Sequence, residues 1–133
     1  MRILVVEDEE AARSALIRIL KDCGHVVVGA WDVTSALRQL AMDAAVRPQL
    51  VLLDIHLGDK ETDGIDLARL MRDDDDWKRI PIIITSGEPS DEVRQRARTN
   101  AFEGLRMTFV SKPISIEMLL HEIDRMRGSG RSD

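Results

Sequence analysis

Tyrosine is absent from this chain, and its aromatic set is two Trp and two Phe in 133 residues. Trp31 and Trp77 stand too far apart in sequence to build a base-stacking surface, so each reads as an anchor for a helix or loop. The single cysteine, Cys23, excludes an internal disulfide framework and fits a reducing compartment. It reads as a small apolar core residue. Long apolar runs are also missing. The longest, such as Ile3–Val6 and Ile80–Ile84, are a fraction of the ~20 residues that a membrane span needs. Met1-Arg2 leads straight into a strand-like run with no signal-peptide core, so a cytoplasmic location without membrane insertion is expected. Basic charge is in deficit: 19 Lys and Arg against 24 Asp and Glu leave −5. That balance argues against direct nucleic-acid binding, which needs cations to neutralise phosphates. With 44% apolar and 32% charged residues, what is there is the composition of a folded globular domain.

Five short runs rich in Val and Ile alternate with helix-patterned segments. The strand candidates are Ile3–Val6, His25–Gly29, Leu50–Asp54, Pro81–Ser86 and Met107–Ser111. Strands this continuously apolar are those of a parallel sheet covered on both faces, so the pattern predicts a (βα)₅ α/β domain. In Glu9–Asp22, Ala12, Leu16, Ile19, Leu20 and Cys23 fall on one helical face, with Gly24 as the stop. Asp32 caps a second helix whose stripe is Val33, Ala36, Leu37, Leu40 and Ala44. A third is expected over Gly64–Arg72, and a fourth, more weakly patterned, over Ser90–Phe102. The last starts at the cap Ser115 and buries Ile116, Leu119, Leu120, Ile123 and Met126. The domain is expected to span residues 1–127, with 128–133 as a flexible tail and no second domain after it. Asp73–Asp76 reads as a solvated helix end. His25 and His121 have no metal-ligand partners at suitable spacing.

In an open parallel sheet, ligands bind beyond the carboxyl ends of the strands. The polar residues that end the strand candidates are Glu7-Asp8, Asp54, Ser86 and Lys112. Taken singly, each has an ordinary explanation: an acidic first helical turn, a turn aspartate, a Ser-Gly turn, a Lys-Pro pair. Their joint placement at one edge does not. A carboxylate that ends the run Leu50-Val51-Leu52-Leu53 needs a partner, because burying it alone is costly. Glu7, Asp8 and Asp54 crowded together repel one another or bind protons unless a cation joins them. A hard divalent ion with oxygen ligands and retained waters, Mg²⁺ above all, meets that need. Lys112 adds a charge that reaches Asp54 or a phosphoryl group on it, and Asp54 is placed to act as a nucleophile at phosphorus. Ser86 supplies a hydroxyl for a phosphoryl oxygen.

These residues, within the motifs VVEDE (5–9), LVLLDIHL (50–57), Asp63-Gly64, IPIIITSG (80–87) and FVSKP (109–113), resemble the response-regulator receiver domain over about residues 1–127. The type suggested is a stand-alone, chemotaxis-type phosphoreceiver of a two-component system. The resemblance implies a flavodoxin-like, doubly wound sheet in the order 2-1-3-4-5. It also implies roles: Asp54 as phosphoacceptor, Glu7 and Asp8 as the acidic pair for Mg²⁺, and His56 as donor of a backbone carbonyl to the metal. Ser86 takes the place of the switch hydroxyl, Phe109 of the switch aromatic, and Lys112 of the lysine before a cis-proline, here Pro113. The partners implied are a sensor histidine kinase or histidine phosphotransfer protein and a downstream protein target. The output face is the fourth helix, fifth strand and fifth helix, through which a weak homodimer is also conceivable. The domain is then no classical enzyme, since it phosphorylates and dephosphorylates itself.

The chain departs from that pattern in four places. The acidic pair is Glu-Asp rather than Asp-Asp. Residues 58–62 form a longer stretch without the usual proline, the segment between Ser86 and Lys112 is longer too, and Phe109 has no hydroxyl. These alter the shape of the output face rather than the chemistry. Three rival readings share the fold or part of the site. A flavodoxin-type nucleotide or FMN binder needs an anion cradle after the first strand, where Glu7-Asp8-Glu9-Glu10 repels phosphate. A haloacid-dehalogenase-like phosphohydrolase uses a second Asp two residues after the nucleophile, where this chain has His56. A degenerate receiver that only binds protein would not need the complete set of acids, hydroxyl and lysine.

Overall fold

The structure, a computed structural model, describes residues 1–55, 64–86 and 107–131, without the side chains of Ser86, Ser111 and 128–131. The described elements are β1 (Arg2–Val6), α1 (Glu10–Asp22), β2 (Val26–Ala30), α2 (Val33–Leu40), β3 (Leu50–Asp54), α3 (Gly64–Arg72), β4 (Ile82–Ser86), β5 (Met107–Ser111) and α4 (Ile116–Arg131). The five strands pair in parallel in the order β2-β1-β3-β4-β5, as expected of a flavodoxin-like sheet. The fourth helix expected over 90–102 lies outside the described residues.

Alternation along the strands divides the core in two. Leu4, Val6, Val51, Leu53, Ile82 and Ile84 face α2 and α3, burying Ala36, Leu40, Ile65, Leu67, Ala68 and Met71. Ile3, Val5, Leu50, Leu52 and Ile83 face the other way, against Leu20 of α1 and Leu119, Ile123 and Met126 of α4. Each fully buried side chain of this size contributes roughly 1.5–3 kcal/mol. A sheet clad on both faces leaves its strand ends as the place for polar groups.

The differences from expectation are local. β2 begins one residue late because the N–H of His25 is used by the end of α1, bonding to Leu20 O at 3.2 Å. β4 starts at Ile82 because Pro81 has no N–H to give to the ladder. Gly24 does stop α1, at φ +92°. Cys23, expected in the core, is exposed: it is the C-cap of α1, and the chain turns away at Gly24. Asp32 caps α2 in a capping box with Ser35. That helix stops at Leu40, whose carbonyl accepts from Trp77 Nε1 at 2.9 Å and Arg47 Nε at 3.1 Å, so Ala44 is exposed beyond it. Trp77 is thus an anchor, tying the turn after α3 to α2. At the other end, α4 continues through Arg131, so residues 128–131, expected in a flexible tail, are helical. No described helix is long and apolar enough to cross a membrane.

Candidate functional site

Glu7 follows β1 directly, and its N–H extends the ladder by bonding to Ala30 O at 2.9 Å. The strand therefore carries the residue into the core, where it is 4% exposed. Asp54 is the last residue of β3, opposite Thr85 of β4, and is 6% exposed. Asp8, one residue beyond Glu7, is exposed. One carboxylate oxygen from each of the three lies within 4.8 Å of the others. Lys112, following β5, points its ammonium at the same place, 3.1 Å from Asp54 Oδ2 and 3.6 Å from Glu7 Oε1. The Lys112–Pro113 peptide is cis. Glu7, Asp54 and Lys112 line a cleft of about 290 Å³ together with the apolar Ala12, Leu16, Leu52 and Ile114.

The electrostatics follow from burial. Desolvation, a hydrogen bond to Asp54 and the negative charges of Asp54 and Asp8 push the Glu7 carboxyl from 4.5 up to about 8, although Lys112 pulls the other way. Burial alone would lower Lys112, but its hydrogen bond to Asp54 and the charges of Asp54 and Glu7 outweigh that and raise it. Lys112 is therefore a fixed cation beside an acid that holds its proton near neutrality.

α3 starts beneath Asp54. The N–H of Gly64 bonds to Ile55 O at 3.0 Å, and a Cβ on Gly64 would stand 2.5 Å from Asp54 O and 2.9 Å from Ile55 Cα. Both neighbours are backbone and cannot swing aside. Only glycine lets the helix approach the strand end this closely, which is the physical content of the Asp63-Gly64 motif.

The structure thus brings together Glu7, Asp8, Asp54 and Lys112. Ser86 ends β4 and pairs in register with Ser111. Phe109 lies on β5 opposite Ile84, with its side chain 37% exposed, so the aromatic faces outward in this state. His56 and Gly87 lie outside the described residues. Two residues of the site were not foreseen. Thr85 is 3% exposed and lines the cleft; its signal is the one hydroxyl that breaks the run Ile82-Ile83-Ile84 before Ser86. Arg13 donates to Glu7 O at 2.9 Å. Its signal is a cation near the start of a helix, where the dipole favours acids.

A set of three carboxylates without nitrogen or sulfur donors suits a hard divalent ion. An ion with oxygens at about 2.1 Å holds opposite ligands ~4 Å apart, close to the spread of the cluster. The residues present fit Mg²⁺.

A doubly wound parallel sheet with clustered carboxylates and a lysine beyond its strand ends defines an α/β domain with its polar site at the carboxyl edge of the sheet. The chain belongs to the response regulator receiver domain family, which matches residues 3–124. It is similar to the polar-differentiation response regulator DivK of Brucella anthropi, with 25% identity over 126 residues and 95% of each chain covered. Among solved structures it resembles NtrX from Brucella abortus with a TM-score of 0.81 and 30% identity, covering 98% of this chain and 27% of that one. In fold it also resembles the receiver domain of the sensor histidine kinase PA1611 from Pseudomonas aeruginosa, in which a magnesium ion is coordinated in the active site cleft. There the TM-score is 0.80 and the identity 23%, over 96% of this chain and 97% of that one. The chain spans nearly the whole of DivK and little more than a quarter of NtrX.

Proposed function

We propose that Asp54 accepts a phosphoryl group from a sensor histidine kinase or histidine phosphotransfer protein, with Mg²⁺ held by Glu7, Asp8 and Asp54. In this reading the chain acts in the cytoplasm as a single-domain response regulator that signals through protein contacts. The observation that carries the proposal is the convergence of the three carboxylates, within 4.8 Å of one another, with the Lys112 ammonium 3.1 Å from Asp54.

An Asp54 oxygen attacks the phosphorus of a phosphohistidine. A P–O bond forms as the P–N bond breaks, and the leaving imidazole takes a proton from water. Lys112 holds Asp54 in one orientation and faces the oxygens that carry charge during transfer. Mg²⁺, when bound, neutralises the carboxylates and the transferring group. The backbone carbonyl of His56 is a further ligand implied by the family resemblance. Glu7 must give up its proton for the site to present its full charge. The Ser86 hydroxyl donates to a phosphoryl oxygen once the acyl phosphate has formed. Attack by water on that phosphorus releases inorganic phosphate and restores Asp54, so the domain turns over only its own modification.

The proposal is tested by phosphotransfer from the histidine kinases of the host to the wild type and Asp54→Asn. Asn is nearly isosteric, so the fold persists and labelling is expected to vanish. Label that persists on another residue of Asp54→Asn would overturn the assignment.

A further inference from the structure

We infer that Arg13 is a positioning residue for the Glu7-Asp8 pair, setting the affinity of the acidic cluster for a divalent cation without touching the ion. The inference rests on the reading of that cluster as a Mg²⁺ site. Arg13 Nη1 donates to Glu7 O at 2.9 Å and lies 3.5 Å from Asp8 O. These carbonyls belong to consecutive peptides. One guanidinium nitrogen against both fixes the planes that flank Asp8, and so the direction in which its carboxylate leaves the chain. The Glu7 N–H is held from the other side by Ala30 O at 2.9 Å, leaving the loop little freedom at this point.

Arg13 is itself held. Its stem packs over Gly29, where a Cβ would come within 3.2 Å of Arg13 Cδ. Its guanidinium carbon stands 5.9 Å from the centroid of the Trp31 ring. Trp31 in turn donates its N–H to Ser35 Oγ at 3.0 Å, inside the capping box that starts α2. A continuous set of contacts therefore runs from the start of α2 through Trp31 and Arg13 to the acidic loop. Among the described residues Arg13 forms no carboxylate ion pair; its head is occupied by two carbonyls and a ring.

The alternative is that Arg13 acts only as a charge, and the two roles predict opposite signs. A cation near the site repels a divalent ion, so charge alone means that removing Arg13 tightens binding. Positioning means that removing it weakens binding, by about tenfold if it resembles other residues that orient metal ligands through a hydrogen bond. The experiment is calorimetric titration of the full chain with Mg²⁺, alongside the shift of the Trp31 indole N–H resonance. The forms compared are the wild type, Arg13→Ala, Arg13→Gln and Arg13→Lys. Arg13→Ala is expected to bind about tenfold more weakly. Arg13→Gln, neutral but with an amide donor, should recover part of the loss. Arg13→Lys, which keeps the charge without the planar fork, should bind several-fold more weakly than the wild type. Wild-type or tighter binding by Arg13→Ala and Arg13→Lys overturns the inference, and should Arg13→Ala not fold, Arg13→Lys decides alone. A wild-type chain with no saturable Mg²⁺ binding would instead overturn the metal-site reading beneath it.

Discussion

Lys112 Nζ lies 3.1 Å from Asp54 Oδ2 across the cleft, and the same ammonium is 3.6 Å from Glu7 Oε1. Near neutrality Glu7 holds a proton, so in the metal-free state the lysine chiefly offsets the buried Asp54 carboxylate. Lys112→Ala leaves that carboxylate without its counter-charge. Its side chain is a third exposed, so solvent screening reduces the cost to about 1–2 kcal/mol, below that of breaking a fully buried pair. Mg²⁺ should restore most of this stability, because it neutralises the same carboxylate. Thermal unfolding of Lys112→Ala with and without Mg²⁺ checks this; a loss that Mg²⁺ does not repair would place the lysine's role elsewhere.

Glu7 makes stability and metal affinity depend on pH in opposite directions. Its carboxyl rises from 4.5 to about 8 on folding, so between those values the metal-free native state holds a proton that the unfolded chain has lost. Stability from this group therefore falls as pH rises through that window. Mg²⁺ competes with the proton, so its affinity should climb with pH and level off above about pH 8, with a proton released on binding at neutral pH. Calorimetry in two buffers of different ionisation enthalpy measures that proton. Observed heats that are the same in both buffers before any correction, with an affinity that does not change with pH, would mean that Glu7 is already ionised.

Much of this site was legible before any coordinates, and for a physical reason. Strand-end residues are set by where an apolar run stops, so Glu7-Asp8, Asp54 and Lys112 could be placed at one edge by counting along the chain. What periodicity could not supply was contact between elements. Cys23 falls on the apolar face of α1 but caps its end in solvent, and Ala44 continues the stripe of α2 beyond a terminus that Trp77 and Arg47 impose. Arg13 escaped notice because a cation near the start of a helix marks the position but not its partners, which are backbone carbonyls.

Gly64 is the residue where backbone meets backbone. Gly64→Ala puts a methyl group 2.5 Å from Asp54 O, so the start of α3 or the end of β3 must shift. The expected cost is roughly 1–3 kcal/mol, as for other overpacked sites. Acetyl phosphate should label the variant more slowly, because Asp54 moves with its carbonyl. Urea unfolding and a labelling time course measure the two effects; wild-type values in both would mean that the contact relaxes freely.

Ser86 and Phe109 test the coupling of chemistry to output. The Phe109 side chain is 37% exposed on β5, so an inward rotation has apolar area left to bury. Such burial and one new hydrogen bond are each worth roughly 1–2 kcal/mol, enough to shift a two-state population. Ser86→Ala should accept phosphate yet transmit little change to β5 and α4. Amide chemical-shift mapping with beryllofluoride reads this, and equal shifts at Phe109 and α4 in wild type and variant would remove Ser86 from the switch.

The central claim, that Asp54 is a Mg²⁺-dependent phosphoacceptor, is tested most directly by intact mass after incubation with acetyl phosphate. The wild type with Mg²⁺ is expected to gain one phosphoryl group, mapped to Asp54 by peptide analysis, and to lose it again over minutes to hours. The gain should be absent with EDTA, in Asp54→Asn and in Asp8→Asn. An unmodified wild type, or an addition that persists in Asp54→Asn, would contradict the account.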